Sequence, residues 1–155
     1  MAPPAGEFFL PTPPRRPVVL LSGGVGLTPM VSMLESIAER HRDHEVHFVH
    51  GTLDGSTHAM GARVKALAAA LPNLAVTTFY QAPRAEDRLG SDFDRAGIID
   101  QEWLSRHTPL AEADHYLCGP RPFLRTLVSA LAQSGVPADR IHYEFFGPAD
   151  ELLAA

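Results

Sequence analysis

The chain is short of cysteine, of long apolar runs and of clustered positive charge, and each shortage removes a class of function. A single cysteine among 155 residues, Cys118, cannot close an internal disulfide, which fits a reducing cytoplasm. No apolar run is long enough to span a bilayer, and the opening residues lack the basic and apolar regions of a signal peptide, so no membrane partner is expected. A net charge of -5 without a long basic run argues against nucleic acid as a partner. The histidines invite a metal, yet no cysteine pair and no H-E-x-x-H spacing supports one. His41 and His44 flank a charged helix end, and His47 should point opposite to His50 along a strand. Ser22-Gly23-Gly24 is not a G-x-S-x-G elbow, so a serine hydrolase has no support. There is no internal repeat, and the length suits one core.

What is present begins with a strand, a glycine turn and a helix between Pro17 and Glu39. Pro17-Val18-Val19-Leu20-Leu21 is continuously apolar and rich in β-branched residues, as in a parallel strand buried on both faces. Ser22-Gly23-Gly24-Val25-Gly26 then sheds side chains where the chain must turn, and Leu27-Thr28-Pro29 leads into a helix. Met30, Met33, Leu34 and Ile37 fall at helical spacing on its inner face. A glycine turn delivered to a helix N-terminus gathers bare amides and the positive end of the dipole around one volume, which suits phosphate. Gly24-Val25-Gly26 matches the first half of a G-x-G-x-x-G fingerprint, but Pro29 takes the third glycine position. A dinucleotide or phosphate site of another type is therefore expected. Asp54, in a loop, could serve the ribose.

Two further segments end at the same edge. Tyr116-Leu117-Cys118 closes a short strand, and Gly119-Pro120 breaks it before a helix over Pro122 to Gln133 whose Phe123, Leu124, Leu127, Val128 and Leu131 form a core stripe. By residue type Cys118 reads as a small buried hydrophobe; by position, at the carboxyl end of a parallel strand, it reads as a site residue. The residues alone leave both open. The last strand, Ile141-His142-Tyr143-Glu144-Phe145-Phe146-Gly147-Pro148, brings Glu144 and two aromatics to that edge.

The remaining elements are a strand over Glu45 to His50, a helix over Ala59 to Leu71, a strand over Leu74 to Tyr80, a charged loop from Arg84 to Gly97 and a short helix around Asp100 to Arg106. Strands alternating with helices give an α/β fold, a doubly wound parallel sheet of five strands with helices on both faces.

Leu21-Ser22-Gly23-Gly24-Val25-Gly26-Leu27-Thr28-Pro29-Met30, Tyr116-Leu117-Cys118-Gly119-Pro120 and His142-Tyr143-Glu144-Phe145-Phe146-Gly147-Pro148 together resemble the nicotinamide-binding domain of the ferredoxin reductase-like flavoprotein family. Within it the chain is most similar to the C-terminal part of bacterial flavohaemoglobins, the nitric oxide dioxygenases, through its ending, His50 and His58-Ala59-Met60. The likeness runs from Ala5-Gly6-Glu7-Phe8-Phe9-Leu10 to Pro148. It implies strand order 3-2-1-4-5. It implies that Gly24, Gly26, Thr28 and Pro29 cradle the pyrophosphate of NAD(H), with Gly23, Val25, Leu27 and Phe123 also binding the cofactor and Ser22 near the pyrophosphate or flavin edge. Cys118, Gly119 and Pro120 would lie beside the nicotinamide, and Tyr80 and Gln81 would stand where NADPH-using relatives commonly carry Ser-Arg after the third strand, so NADH is expected. Glu144, Phe146 and Cys118 would act at the hydride-transfer edge.

The same resemblance implies partners. Residues 1–16 look like the tail of a flavin-binding barrel and a proline-rich linker, residues 17–148 like the NAD(P)H-binding domain and residues 149–155 like a C-terminal tail. FAD and haem are expected on the barrel and a globin domain, in cis or in trans. The implied activity is an NADH-dependent flavoprotein oxidoreductase of the nitric oxide dioxygenase type, incomplete without a flavin domain. The alternatives are a stand-alone or degenerate nucleotide-binding module without turnover, and the reductase domain of an iron–sulfur oxygenase system.

Overall fold

Val18-Val19-Leu20-Leu21 has no polar side chain on either side of its pleat, so it is stable only with a layer packed against each face. The computed structural model, which describes residues 16–24, 28–58 and 61–145, gives it both layers. The elements are β1 (Val18–Gly23), α1 (Thr28–Arg40), β2 (Val46–Thr52), α2 (Gly61–Ala70), β3 (Leu74–Tyr80), β4 (Arg95–Ala96), α3 (Gln101–His107), β5 (Asp114–Gly119), α4 (Arg121–Gln133) and β6 (Ile141–Phe145). The sheet is parallel throughout, in the order β4-β3-β2-β1-β5-β6.

Alternate residues of the strands feed two cores. Val18, Leu20, Phe48 and Tyr116 meet Met30, Leu34 and Ile37 of α1 and Val64 and Leu67 of α2. Val19, Leu21, Val49, Phe79 and Leu117 meet Trp103 and Leu104 of α3 and Leu124, Leu127 and Leu131 of α4. Each apolar side chain so enclosed contributes roughly 1.5–3 kcal/mol relative to staying in water. The sheet therefore has an α1/α2 face and an α3/α4 face, and neither is open along the body of the strands. Among the described residues no helix is long and apolar enough to cross a membrane.

The strand count corrects the expectation of five. A sixth strand, β4, lies inside the segment that reads as a charged loop and pairs Arg95 and Ala96 with Phe79 and Tyr80. Its residues are exposed and carry no alternating pattern, so periodicity has nothing to report over so short a piece. The pairing comes from the other side: β3 has an outer edge whose backbone groups need partners. Asp94 N–H donates to the Thr78 carbonyl at 2.8 Å, Gly97 N–H to the Tyr80 carbonyl at 2.8 Å, and Thr78 N–H to Asp94 Oδ2 at 2.8 Å. The other five strands lie in the expected order, with the sixth added outside β3. Strands β1 and β2 also run further than their apolar stretches, to Gly23 and Thr52, carrying glycine into the sheet itself.

Candidate functional site

The strand ends fall into two neighbouring rows. In register across the sheet, Glu144 of β6 stands beside Cys118 of β5, Cys118 beside Ser22 of β1, Ser22 beside His50 of β2, and His50 beside Thr78 of β3. These polar residues share the α1/α2 face, where the preceding positions of β1, β5 and β2 are Leu20, Tyr116 and Phe48. One residue further along, Gly23 stands beside Gly51, and Gly51 beside Phe79; Gly119 follows Cys118 on the other flank. This second row faces α3/α4, because successive residues of a strand point to opposite faces.

The glycine row makes room. A Cβ at Gly23 would lie 2.6 Å from the Phe123 ring, one at Gly119 2.7 Å from that ring and 3.1 Å from the Gly23 carbonyl oxygen, and one at Gly51 3.2 Å from Ile99. Phe123 of α4 thus rests on two strand tips where any Cβ would force its ring to shift. Gly24 follows at φ +54°, a left-handed conformation that favours glycine, and its N–H donates to the Gly51 carbonyl at 2.9 Å. The result is a cavity of about 530 Å³ over the tips of β1 and β2, walled by Pro120, Pro122 and Phe123 on one side and by Gly97, Ile98 and Ile99 on another. Thr52, Thr57, Thr126 and Gln81 are the residues with polar side chains in its lining. The first turn of α4 adds more: Pro120 at its N-cap makes no side-chain cap, and no acidic residue lies in that turn. The first turn of α1 likewise holds no acidic residue. Uncapped amides and unopposed dipoles favour an anion.

The expected site residues divide between the two rows. Gly23, Gly24, Gln81, Pro120 and Phe123 line the cavity, and Gly119 lies beneath the Phe123 ring. Ser22, Cys118 and Glu144 belong to the polar row on the reverse face. Pro29 sits in the first turn of α1. Tyr80 is not brought to the cavity. Its ring is buried on the α1/α2 side, stacked on Phe93 at 4.7 Å, with its hydroxyl 2.7 Å from His58 Nδ1. Val25, Gly26, Leu27 and Phe146 lie outside the described residues, as does the side chain of Thr28.

Burial decides the chemistry of the polar row. It pushes the Cys118 thiol up to about 12, the Glu144 carboxylate adding to the effect, so the thiol stays protonated and is no nucleophile. Burial also brings His50 down to about 4, with neighbouring His58 adding to it, so both rings are neutral at pH 7. His50 Nδ1 is 3.0 Å from Ser22 Oγ, and its ring stacks on that of His58 at 5.3 Å.

Beyond Gln81, a clasp closes the β3 end. Asp87 accepts from Arg84 N–H at 2.8 Å, Arg84 Nη2 at 2.9 Å and Gly55 N–H at 3.1 Å. The Arg84 hydrogen bond holds its carboxyl down at about 2. Arg84 also reaches Glu86 at 3.3 Å and Asp54 at 4.0 Å. Asp54 itself caps the short turn Gly55–Thr57 by accepting from Ser56 N–H at 2.8 Å. Sequence reasoning missed Gly51 and the 97–99 wall. Gly51 was findable, because it follows His50 at the carboxyl end of a strand destined to lie beside β1; the wall was hidden in the apparent loop.

Among the described residues the cavity is lined by backbone, threonines, Gln81 and apolar side chains, with no cysteine, histidine or carboxylate among them. The oxidoreductase NAD-binding domain family matches residues 20–129. The chain is 56% identical over 153 residues to a flavohemoprotein of Xylella fastidiosa (strain 9a5c), an alignment covering 99% of this chain and 37% of that protein. Among solved structures it is similar to the flavohem-like FAD/NAD binding domain of nitric oxide dioxygenase from Vibrio cholerae O1 biovar El Tor, at 33% identity and a TM-score of 0.74, covering 86% of this chain and 52% of that one. Flavohemoglobin from Malassezia yamatoensis gives a TM-score of 0.74 at 28% identity, covering 89% of this chain and 33% of that one. The chain spans 37% of the length of the curated relatives it matches. With residues 20–129 matched and the cavity set at the carboxyl edge of the sheet, the chain belongs to the oxidoreductase NAD-binding domain family.

Proposed function

We propose that this chain is the nicotinamide-dinucleotide module of a flavin-dependent reductase of the flavohaemoglobin type. It presents NADH for hydride transfer to FAD on a separate barrel, from which electrons pass to haem on a globin domain in a nitric oxide dioxygenase. The carrying observation is the glycine row: the facing strand tips at Gly23 and Gly51 open a cavity whose walls include an uncapped helix start, with Gly119 seating the Phe123 ring beside them. Bound nicotinamide dinucleotide supplies a hydride; the chain supplies position. The pyrophosphate lies against the turn from Gly23 onward and the first turns of α1 and α4, where amides and dipoles meet its charge. Phe123 and Pro120 give the flat ring an apolar seat, which excludes water from the reacting edge.

Glu144 and Cys118, side by side in register, approach that edge from the other face of the sheet. In this reading they orient the nicotinamide once a flavin domain is docked, and Phe146 covers the flavin until the ring displaces it. Cys118 acts as a neutral neighbour, without a covalent step. The carboxylates of Asp54, Glu86 and Asp87 around Arg84 oppose a 2′-phosphate, which supports NADH over NADPH. The lone Cys118, buried and free, supports the cytoplasm.

The test is NADH oxidation by this chain with and without a separately expressed flavin–globin fragment. The expected result is turnover that requires both pieces and slows at least tenfold when Glu144→Gln is introduced. No stimulation by the fragment overturns the reading of a reductase module, and an unchanged flavin reduction rate in Glu144→Gln removes that residue from the mechanism.

A further inference from the structure

His50 lies behind the cofactor cavity and lines none of it, yet its surroundings are unusual for a buried imidazole. It is 1% exposed, packed against Phe48, His58 and Ser22, and borders a cavity of about 170 Å³ on the α1/α2 side. Its Nε2 is buried without a hydrogen-bond partner among the described residues, so the ring keeps one polar anchor, the contact of Nδ1 with Ser22 Oγ. An apolar side chain would fill the same space without leaving a polar atom unsatisfied. The anchor must then do something that packing does not. Ser22 and His50 are the last residues before Gly23 and Gly51, the two facing glycines whose strand tips floor the cavity. His58 continues the tie, stacked on His50 and bonded to Tyr80, the residue before cavity-lining Gln81.

We propose that His50 is a positioning residue for nicotinamide-dinucleotide binding, which through its bond to Ser22 clamps the tips of β1 and β2 from the reverse face and fixes the width of the glycine floor. The cofactor is held on one face while the spacing of its floor is set on the other. A side chain that bonds Ser22 preserves the site whatever its volume. A side chain that only fills the volume does not. Affinity and stability consequently separate, because ring volume governs the packing of Phe48 and His58 and the bond governs the floor. This inference rests on the cavity being the dinucleotide site.

The experiment compares the parent with His50→Asn, whose amide places a hydrogen-bonding atom near the position of Nδ1, and His50→Leu, which keeps apolar volume and cannot bond Ser22. NADH dissociation constants come from calorimetry and melting temperatures from the same preparations. The expected result is affinity within threefold of the parent for His50→Asn and at least tenfold weaker for His50→Leu, with melting temperatures in the opposite order. Ser22→Ala should weaken binding like His50→Leu and add little to it in the double variant. Leucine binding as tightly as the parent, or affinity that simply follows melting temperature, overturns the clamp. Gly23→Val separates the two readings. If it leaves NADH binding intact the cavity itself is wrongly assigned and the clamp falls with it. If it abolishes binding while leucine does not weaken it, the clamp alone is wrong.

Discussion

The polar row and the glycine row are one residue apart in each strand, and the sheet treats them in opposite ways. Glu144, Cys118, Ser22, His50 and Thr78 stand on the α1/α2 face, where Ser22 and His50 bond to each other and His50 and Thr78 border a second cavity of about 170 Å³. Gly119, Gly23 and Gly51 carry none, and the room they leave is divided between Phe123, Ile99 and the cavity. The strand pleat turns one step in sequence into a change of face, so a rigid support and an open floor can be built from consecutive residues. The difference teaches that emptiness here is specified as closely as packing: a methyl group at Gly23 or Gly119 meets the same ring that walls the site.

The largest expected effect comes from filling the open row. Gly23→Val should abolish measurable NADH binding in calorimetry, at least a hundredfold loss, while the far-ultraviolet spectrum stays that of a folded α/β chain. Gly23→Ala should cost about 1–3 kcal/mol in urea denaturation, as overpacking does. The three atoms nearest its new Cβ all belong to Phe123, so Gly23→Ala should cost far less in a Phe123→Ala background. Additive costs would mean that the ring and the glycine are not sharing that space.

The next effect belongs to buried imidazoles. Burial lowers His50 and His115 from 6.5 to about 4 in the folded chain. As pH falls below 6.5 the unfolded chain takes up protons first, so stability is full above that value, declines toward pH 4 and levels off below it. At pH 5 each ring contributes a loss of about 2 kcal/mol. Urea midpoints at pH 7 and pH 5 measure it, and His50→Leu should remove the share of the polar row and leave that of His115. An unaltered difference between the two pH values would assign the titration elsewhere.

At the far end of the open row the expected effect is about tenfold. NADPH should bind that much more weakly than NADH, because Arg84 is committed to Asp87 with Glu86 and Asp54 close by. Asp87→Asn should narrow the gap, and equal affinities for the two cofactors in the parent would refute the assignment. The smallest effect is a silence. Cys118, fully buried with its thiol pushed up to about 12, should resist a disulfide reagent at pH 8 for hours and react stoichiometrically in denaturant. Fast labelling in the folded chain would show the polar row to be open.

The body of the fold was legible because burial writes itself into composition: Val18 to Leu21, the Met30–Ile37 stripe and the Leu124–Leu131 stripe each follow the period of their element. Gly24 was legible because its φ of +54° favours glycine, and Pro120 because proline marks the break between β5 and α4. The short strand at Arg95–Ala96 was not, since its pairing is dictated by the open edge of β3 and not by its own residues. Nor was the destination of Tyr80. A tyrosine next to a cofactor loop reads as a contact, and only the pleat and Phe93 decide that its ring turns inward. His50 and Gly51 sat in plain view, but their roles come from register with Ser22 and Gly23, a long-range fact that no local pattern contains.

Register has a further consequence, in time rather than space. Central strand β1 pairs on one flank with β2, whose first residue Val46 meets Val18, and on the other with β5, where Val18 meets Asp114, about a hundred residues later in the chain. During synthesis the β1–β2–β3 half can assemble with α1 and α2 as soon as it emerges, while the other flank of β1 waits with the N–H and C=O groups of its edge unpaired. The completing event is the arrival of β5 with α4, a late and entropically expensive closure that also brings Phe123 onto Gly23. Closure of the cavity and completion of the pairing of β1 are therefore one event, and a chain caught before it lacks the Phe123 wall and leaves a strand edge unpaired.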